Sequence, residues 1–290
     1  EQAIALDPRY ALAHAAYADY LFGRTTIGMS SLRDIAATSR ALAQRALELD
    51  STVSEAPAVL CCLAVAHDYD WHEATLWFKR TIANGVESPH AHFVLCYYYL
   101  LGSGRLREAI ARFEQALSGD PLQLTYRGVA AMCLGAAGRF AEAEDLLHHS
   151  LDLDPNFFWT YYYLADLYAA RQMFAEALPF AEKAFALSPW YAPSVGVYAG
   201  VLSRLDSPDR ARDVIRTLGA GERPGAAKGL AIFHTCCGDI DLAADWYEKA
   251  IEERDSMVMG FLQSAIGEPL RASARWPRLA ALMNLPAQTS

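Results

Sequence analysis

No run of about 18 uncharged apolar residues occurs in this sequence, and its start lacks a basic segment followed by an apolar one. Neither a membrane span nor a secretory leader is therefore expected. Cys-x-x-Cys pairs are missing as well. Cys61, Cys62, Cys96, Cys133, Cys236 and Cys237 lie among apolar neighbours, and the two vicinal pairs make awkward disulfide partners. They read as small buried hydrophobes in a reducing compartment, most simply the cytoplasm. Basic charge is short: 25 Lys and Arg stand against 34 Asp and Glu, a formal charge of -9. Such a balance disfavours a polyphosphate-binding surface, and with it nucleic acid as a partner.

Catalytic constellations are absent too. His72-Glu73-Ala74-Thr75 is followed by Leu76 where a zinc-binding His-Glu-x-x-His helix needs its second histidine. His90 and His92 are two residues apart and His148 and His149 adjacent, so neither pair has the i, i+4 spacing that brings two rings onto one metal. These four histidines read as solvent-facing or capping. Gly102-x-Gly104 follows a helix and has no third glycine, which makes it a turn. Serines lack a Gly-x-Ser-x-Gly context, and no base is paired with a cysteine. We assign no catalytic, metal or cofactor-binding residue, and the segment reads as non-enzymatic.

What is present is a foldable chain of 290 residues, 53% apolar and 20% charged, enough for one or two domains or one elongated array. It opens on Glu1 within an apparent helix, so the expectation is a piece of a longer protein. Internal periodicity dominates the rest. A small residue recurs at Ser39, Ala74, Ala109, Ala143, Ala177, Ala211 and Ala243, in steps of 35, 35, 34, 34, 34 and 32. Seven residues on, a second column runs Ala46, Thr81, Ala116, Ser150, Ala184, Leu218, Ala250, and three before the first an apolar one runs Trp71, Leu106, Phe140, Phe174, Pro208, Ile240. Residues seven apart share a helix face, so each second helix offers a small-residue stripe for close approach. Phe78, Phe113, Leu147, Ile215 and Tyr247 are placed to fill the space beside it. Asp7-Pro8, Ser88-Pro89, Asp120-Pro121, Asp154-Pro155, Ser188-Pro189 and, more weakly, Arg223-Pro224 mark unit boundaries, and each fits a helix start capped by Asp or Ser with proline in the first turn.

These units resemble tetratricopeptide repeats, whose 34-residue helix-turn-helix pattern ends in proline. The best copies run from Gly104-Arg105-Leu106-Arg107-Glu108-Ala109 through Phe113 and Ala116 to Pro121, from Gly138-Arg139-Phe140-Ala141-Glu142-Ala143 through Leu147 to Asp154-Pro155, and from Met173-Phe174-Ala175-Glu176-Ala177 through Ala184 to Pro189. Asp50 and Asp255 lack the following proline. The expected fold is all-α: a right-handed α-solenoid of about seven such helix pairs with a C-terminal helical cap. Residues 1–9 end a preceding helix, and the pairs occupy 10–50, 51–87, 88–121, 122–155, 156–189, 190–223 and 224–255. Capping helices and a tail at 256–290 are expected to cover the last pair. The first pair is about nine residues long in excess, placed as a loop over Gly23–Ser31. Glu268-Pro269-Leu270-Arg271, Arg275-Trp276-Pro277-Arg278 and Tyr69-Asp70-Trp71-His72-Glu73-Ala74 resemble a bacterial subgroup in which the array follows a winged-helix DNA-binding domain, a nucleotide cyclase or a Ser/Thr protein kinase.

The resemblance implies a concave groove lined by first-helix positions. Carried over, these include Asp19 and Phe22 in the first pair, Tyr98 in the third, Met132 in the fourth, Trp159, Tyr162 and Asp166 in the fifth, and Gly196, Gly200, Arg204 and Lys228 in the last two. Three consecutive tyrosines on a helix point in different directions, so of Tyr97-Tyr98-Tyr99 and Tyr161-Tyr162-Tyr163 only Tyr98 and Tyr162 are placed in the groove, with Trp159. Such rings suit peptide binding. The Lys and Asn set with which some relatives clamp a terminal carboxylate is missing. Arg204, Arg210, Arg212, Arg216, Arg223 and Lys228 are interleaved with acids and read as solvated helix faces. The expected function is a non-catalytic protein-interaction scaffold, the C-terminal repeat region of a bacterial signalling or regulatory protein, binding a peptide, a partner domain or a second copy of itself in an open trough. The alternative is a small-ligand sensor governing an upstream output domain. No cofactor, nucleic acid or membrane enters either reading.

Overall fold

A computed structural model describes residues 1–83, 89–221 and 223–286, with side chains from 91 onward in the second stretch. A short helix, α1 (Gln2–Leu6), precedes seven helix pairs. The first is α2 (Ala11–Thr26) with α3 (Leu32–Leu49). In the second, α4 (Glu55–Leu63) continues as a π-helix over Ala64–Asp68 and is followed by α5 (Trp71–Ala83). The third joins α6 (Pro89–Val94), also continued as a π-helix over Leu95–Leu101, to α7 (Leu106–Gly119). Then come α8 (Leu124–Ala136) with α9 (Phe140–Leu153), and α10 (Phe158–Ala170) with α11 (Phe174–Leu187). Last are α12 (Ala192–Arg204) with α13 (Pro208–Ile215), and α14 (Ala226–Cys237) with α15 (Ile240–Glu252). Three short helices follow: α16 (Val258–Gln263), α17 (Glu268–Arg271) and α18 (Trp276–Leu282). Among the described residues there is no strand. The chain is an all-α solenoid of stacked helix pairs.

Small side chains set the stacking distance. Every member of both recurring columns, from Ser39 and Ala46 to Ala243 and Ala250, is buried. Where a column holds a hydroxyl, the group is bonded and therefore tolerated in the dry seam. Ser39 Oγ donates to the Ala18 carbonyl at 2.9 Å, Thr81 Oγ1 to that of Trp77 at 2.9 Å and Ser150 Oγ to that of Leu146 at 2.8 Å. Phe113 and Tyr247, both fully buried, fill the volume beside the stripe. Closest approach occurs between α12 and α14: a Cβ on Gly196 would lie 2.2 Å from the Gly229 carbonyl oxygen, and one on Gly200 2.4 Å from Cys236 Cβ. These two glycines, expected on the groove wall, face the neighbouring helix instead, because only a missing side chain lets the backbones meet.

Unit boundaries work differently from the expected helix caps. Asp50, Asp120, Asp154 and Ser188 end the second helix of their pair. At three boundaries the aspartate accepts from the amide two residues on: Asp7 Oδ1 from Arg9 at 2.9 Å, Asp50 Oδ1 from Thr52 at 2.9 Å and Asp154 Oδ1 from Asn156 at 2.8 Å. That closes an Asx turn, and after Asp7 and Asp154 a proline stops the helix from continuing. The next helices then begin at Gln123, Phe157 and Tyr191 with no side-chain cap. Ser88 of the Ser88-Pro89 boundary lies outside the described residues. The Gly23–Ser31 loop is shorter than expected, since α2 runs on to Thr26, where Thr25 and Thr26 bond back to the carbonyls of Phe22 and Gly23, both at 2.7 Å. The remaining turn lies near the seventh pair, where a Cβ on Gly28 would come 3.4 Å from the Pro224 carbonyl oxygen.

The largest departure is the C-terminal segment. Instead of covering only the last pair, it crosses the concave face and closes the superhelix on itself. Tyr69 OH donates to the Ile251 carbonyl at 3.3 Å, Thr25 Oγ1 to Ser256 Oγ at 2.9 Å and Tyr97 OH to the Met257 carbonyl at 3.3 Å. Further on, Gln263 Nε2 reaches the Gly102 carbonyl at 3.5 Å, and Trp71 Nε1 that of Met283 at 3.0 Å. Met257, Val258, Met259, Phe261 and Leu262 are buried there. Five such side chains in one short stretch need an apolar host, and the aromatic inner wall supplies it. Arg271 gathers the Leu262 and Ser264 carbonyls, and Arg275 binds Asp241, Asp245 and Glu248 of α15. Most of the expected open trough is thus filled by the chain itself.

Two substitutions test these packings. Gly196→Ala places a Cβ against backbone and is expected to cost about 1–3 kcal/mol, read as a lower urea midpoint at unchanged slope. Gly260→Ala puts its Cβ 2.1 Å from the Tyr97 hydroxyl, and a similar loss, about 1–3 kcal/mol, is expected if the segment is part of the cooperative core; a midpoint equal to the parent's would show that the segment packs loosely.

Candidate functional site

First helices of four pairs converge where the C-terminal segment leaves the inner wall uncovered. A cavity of about 240 Å³ lies there, with α2 contributing Asp19 and Phe22, α6 and its π-helical continuation Phe93 and Tyr98, α8 Tyr126 and α10 Trp159. Met257 of the returning segment also lines it. Within the π-helix over 95–101, Tyr97, Tyr98 and Tyr99 are all buried. Tyr98 packs edge-on against Phe22, with ring centroids 5.0 Å apart, and Phe93 stacks on Tyr126 at 5.2 Å. These contacts hold the wall rigid. Desolvation pushes the Tyr97, Tyr98 and Tyr163 hydroxyls above their ordinary range, and Tyr126 up to about 12. All four stay neutral at physiological pH. Among the described residues, Asp19 is the one charged side chain on the lining.

Of the eight residues singled out from sequence, Asp19, Tyr98 and Trp159 meet at this cavity. Five do not line it. Tyr162 is a core residue behind the wall, packed edge-on against Tyr191 at 5.7 Å and Phe261 at 6.0 Å. Met132 is buried in α8. Lys228 is 3% exposed and paired with Asp255 at 2.9 Å, its ammonium 5.2 Å from the Phe261 ring centroid. That ion pair anchors the start of the C-terminal segment. Arg204 lies over Phe174 at 4.5 Å, donates to the Cys236 carbonyl at 3.1 Å and borders a separate cleft of about 250 Å³. Asp166, 5% exposed, accepts from Tyr162 OH at 3.4 Å. Among their neighbours in the basic patch, Arg210, Arg212 and Arg216 are paired with Glu182, Asp209 and Asp213.

Phe93, Tyr97, Tyr126, Tyr163 and Met257 line the cavity without having been singled out for it. Tyr97 and Tyr163 each neighbour a residue that was, and the angular rule for a regular helix set them aside. Met257 lies beyond the last period and carries no positional signal. His92, read as solvent-facing or capping, is buried, and the His90 side chain lies outside the described residues. Cysteines 61, 62, 96, 133 and 236 are buried and free, Cys237 half-buried, and burial raises every thiol above its ordinary range. No group of three or more His, Cys, Asp or Glu among the described residues is placed to hold a metal ion, and no described helix is long and apolar enough to cross a membrane.

An inner wall built from first helices and an outer layer of second helices defines a helical-repeat fold. Residues 100–157 match the family model for the tetratricopeptide repeat. Comparison with curated protein sequences finds no match. Among solved structures, the chain is similar to PilW, described as a widely conserved type IV pilus biogenesis factor, with a TM-score of 0.58 at 18% identity over 72% of this chain and 92% of that one. It is similar to pilF of Pseudomonas aeruginosa with a TM-score of 0.54 at 16% identity, over 78% of this chain and 97% of that one. A human IFIT1 dimer with m7Gppp-AAAA gives 0.57 at 16% identity, covering 86% of this chain and 64% of that one. These likenesses establish the fold as that of a tetratricopeptide-repeat solenoid.

Burial pushes the Asp166 carboxyl up to about 7 from an ordinary 3.8, the Tyr162 hydrogen bond opposing the shift. The folded state therefore holds this proton more tightly than the unfolded one. Its stabilising contribution is complete below the unfolded value, declines as pH rises and is gone above the folded value. Asp166→Asn is expected to flatten the stability profile between those two values and to raise Tm at about pH 8, where the parent buries an uncompensated charge; a lower Tm there would show that the carboxylate is held by contacts this geometry lacks.

Proposed function

We propose that this chain is a non-catalytic recognition scaffold, the C-terminal repeat region of a bacterial signalling or regulatory protein, acting in the cytoplasm. The residues that carry it are Asp19, Tyr98 and Trp159, which engage a peptide or a partner domain at the cavity between α2, α6, α8 and α10. One observation carries this reading: the chain's own C-terminal segment fills most of the concave wall, and an aromatic-lined cavity remains beside it as surface for something else to bind. Rigid aromatic rings around a single charge are the composition of a binding hot spot. Six unpaired thiols suit a reducing compartment. A second copy of the chain is one partner this surface admits, and the acidic balance argues against nucleic acid.

A second reading, a small-ligand sensor, is favoured by the size of the same cavity, about 240 Å³ with a largely aromatic lining, which suits a compact effector. Stiffening of the superhelix by that effector would then bias an upstream output domain. The two readings separate by experiment. Trp159→Ala, checked by circular dichroism for unchanged helix content, is expected to weaken retention of a partner by about tenfold or more. Undiminished retention would move recognition to another face. A thermal-shift panel of metabolites tests the sensor, since a true ligand at 100 times its Kd stabilises by about 2.7 kcal/mol.

A further inference from the structure

A second cleft, of about 210 Å³, lies where the two ends of the superhelix meet, and it shares no lining residue with the aromatic cavity. The first pair supplies Ser30, Ser31 and Arg33, the entry to the seventh pair Arg223, and the start of the returning segment Arg254. Three guanidiniums thus come together from three separate stretches of the chain, and acids do not match them. Arg210, Arg212 and Arg216 each hold a carboxylate, whereas among the described residues Arg33, Arg223 and Arg254 form no ion pair. Arg33 donates to the Glu252 carbonyl and attracts Glu253 only at longer range, and Arg254 lies over the Tyr69 ring at 4.3 Å. Two carboxylates do border the cleft, Glu253 and Asp255, but each has a lysine of its own: Lys249 at 3.9 Å and Lys228 at 2.9 Å. A positive field is therefore left in the cleft of a chain whose net charge is -9. Gathering like charges without counter-ions is unfavourable, and a bound anion would reverse that.

We infer that this cleft takes a phosphate group, held between Arg33 of the first pair and Arg223 of the seventh, with Arg254 and the hydroxyls of Ser30 and Ser31 as further donors. Phosphate fits better than a carboxylate because its second charge and additional oxygens can meet more than one guanidinium fork. The volume leaves room for the phosphoryl group and a short stem, which is the shared chemistry of a phosphorylated side chain and of a small free phosphate. Bound there, the anion joins the first pair to the last, adding to the Thr25–Ser256 hydrogen bond at 2.9 Å that already closes the superhelix at this point. The inference goes beyond the recognition reading above and does not depend on it.

The test titrates the full chain by isothermal calorimetry, at fixed ionic strength in a phosphate-free buffer. Its probes are inorganic phosphate, acetate, acetyl-Gly-phosphoserine-Gly-amide and the unphosphorylated peptide. Saturable binding at one site is expected for inorganic phosphate or the phosphopeptide, about tenfold tighter than for acetate or the unphosphorylated peptide. Arg223→Gln and Arg33→Gln are each expected to weaken it about tenfold, with helix content unchanged by circular dichroism. Arg212→Gln, which removes a guanidinium already paired with Asp209, should bind as the parent does. A phosphopeptide about tenfold tighter than inorganic phosphate assigns the group to a partner's side chain, and equal affinity assigns a free phosphate; either supports the site. Absence of saturation by both phosphates, acetate binding as tightly as phosphate, or undiminished affinity in Arg223→Gln overturns the inference. Arg223 is exposed and its side chain has no described hydrogen bond or ion pair, so that variant tests binding without disturbing the fold. Loss in Arg223→Gln with parental affinity in Arg33→Gln overturns the bridge between the two ends.

Discussion

Close approach of neighbouring helices is the constraint on which this structure is built. A side chain no larger than Ser or Thr recurs once per unit at the seam, with Leu218 as the sole larger member of the second column, and each is sealed from solvent. With the axes so close, the bulky residues beside the stripe, Phe113 and Tyr247 among them, are forced into full contact with both layers. Between α12 and α14 the reduction goes further, to glycine on both sides, and backbone meets backbone. A helix pair alone would leave one of these faces in water, so the pairs are stable only as a stack.

Tight stacking also winds the superhelix closely, and that curvature brings distant parts of the chain together. Ile251 and Met257 reach Tyr69 and Tyr97, residues more than a hundred positions earlier. The Lys228–Asp255 pair fixes where the returning segment begins; each ion is buried, and loss of either partner would strand the other without water. From that point Met257, Phe261 and Leu262 descend into the aromatic wall. What would be an open trough in a longer or straighter array becomes a second core, with a cavity left beside α2 and α10. Asp166 is likewise an interior residue, its carboxylate desolvated by burial beside Tyr162 and shifted accordingly.

Much of this was readable from residue spacing. Ala109, Ala143 and Ala177 at 34-residue steps, with Phe140 and Phe174 three residues before, announce helix pairs and the seam that joins them. Trp159 and Tyr98 were placed on the inner wall by the repeat resemblance, with helical phase choosing Tyr98 from its three consecutive tyrosines. Phase misplaces Tyr97, in the π-helix over Leu95–Leu101, and Tyr163, in the regular α10, since both line the cavity. Local pattern fails too at Asp7-Pro8 and Asp154-Pro155, where a side chain able to cap a helix closes an Asx turn instead.

Sequence by itself determined the repeat, its period, the faces that pack and the absence of recognisable catalytic motifs, because each follows from contacts between residues near one another in the chain. Only the tertiary structure decided that the trough is filled, that Tyr162, Lys228 and Asp166 belong to the interior, and that Asp19 and Trp159 share one cavity. Those outcomes depend on the summed curvature of seven stacked pairs and on where a non-repeating tail comes to rest. Small angular steps at each seam add along the stack, and no local pattern records their total.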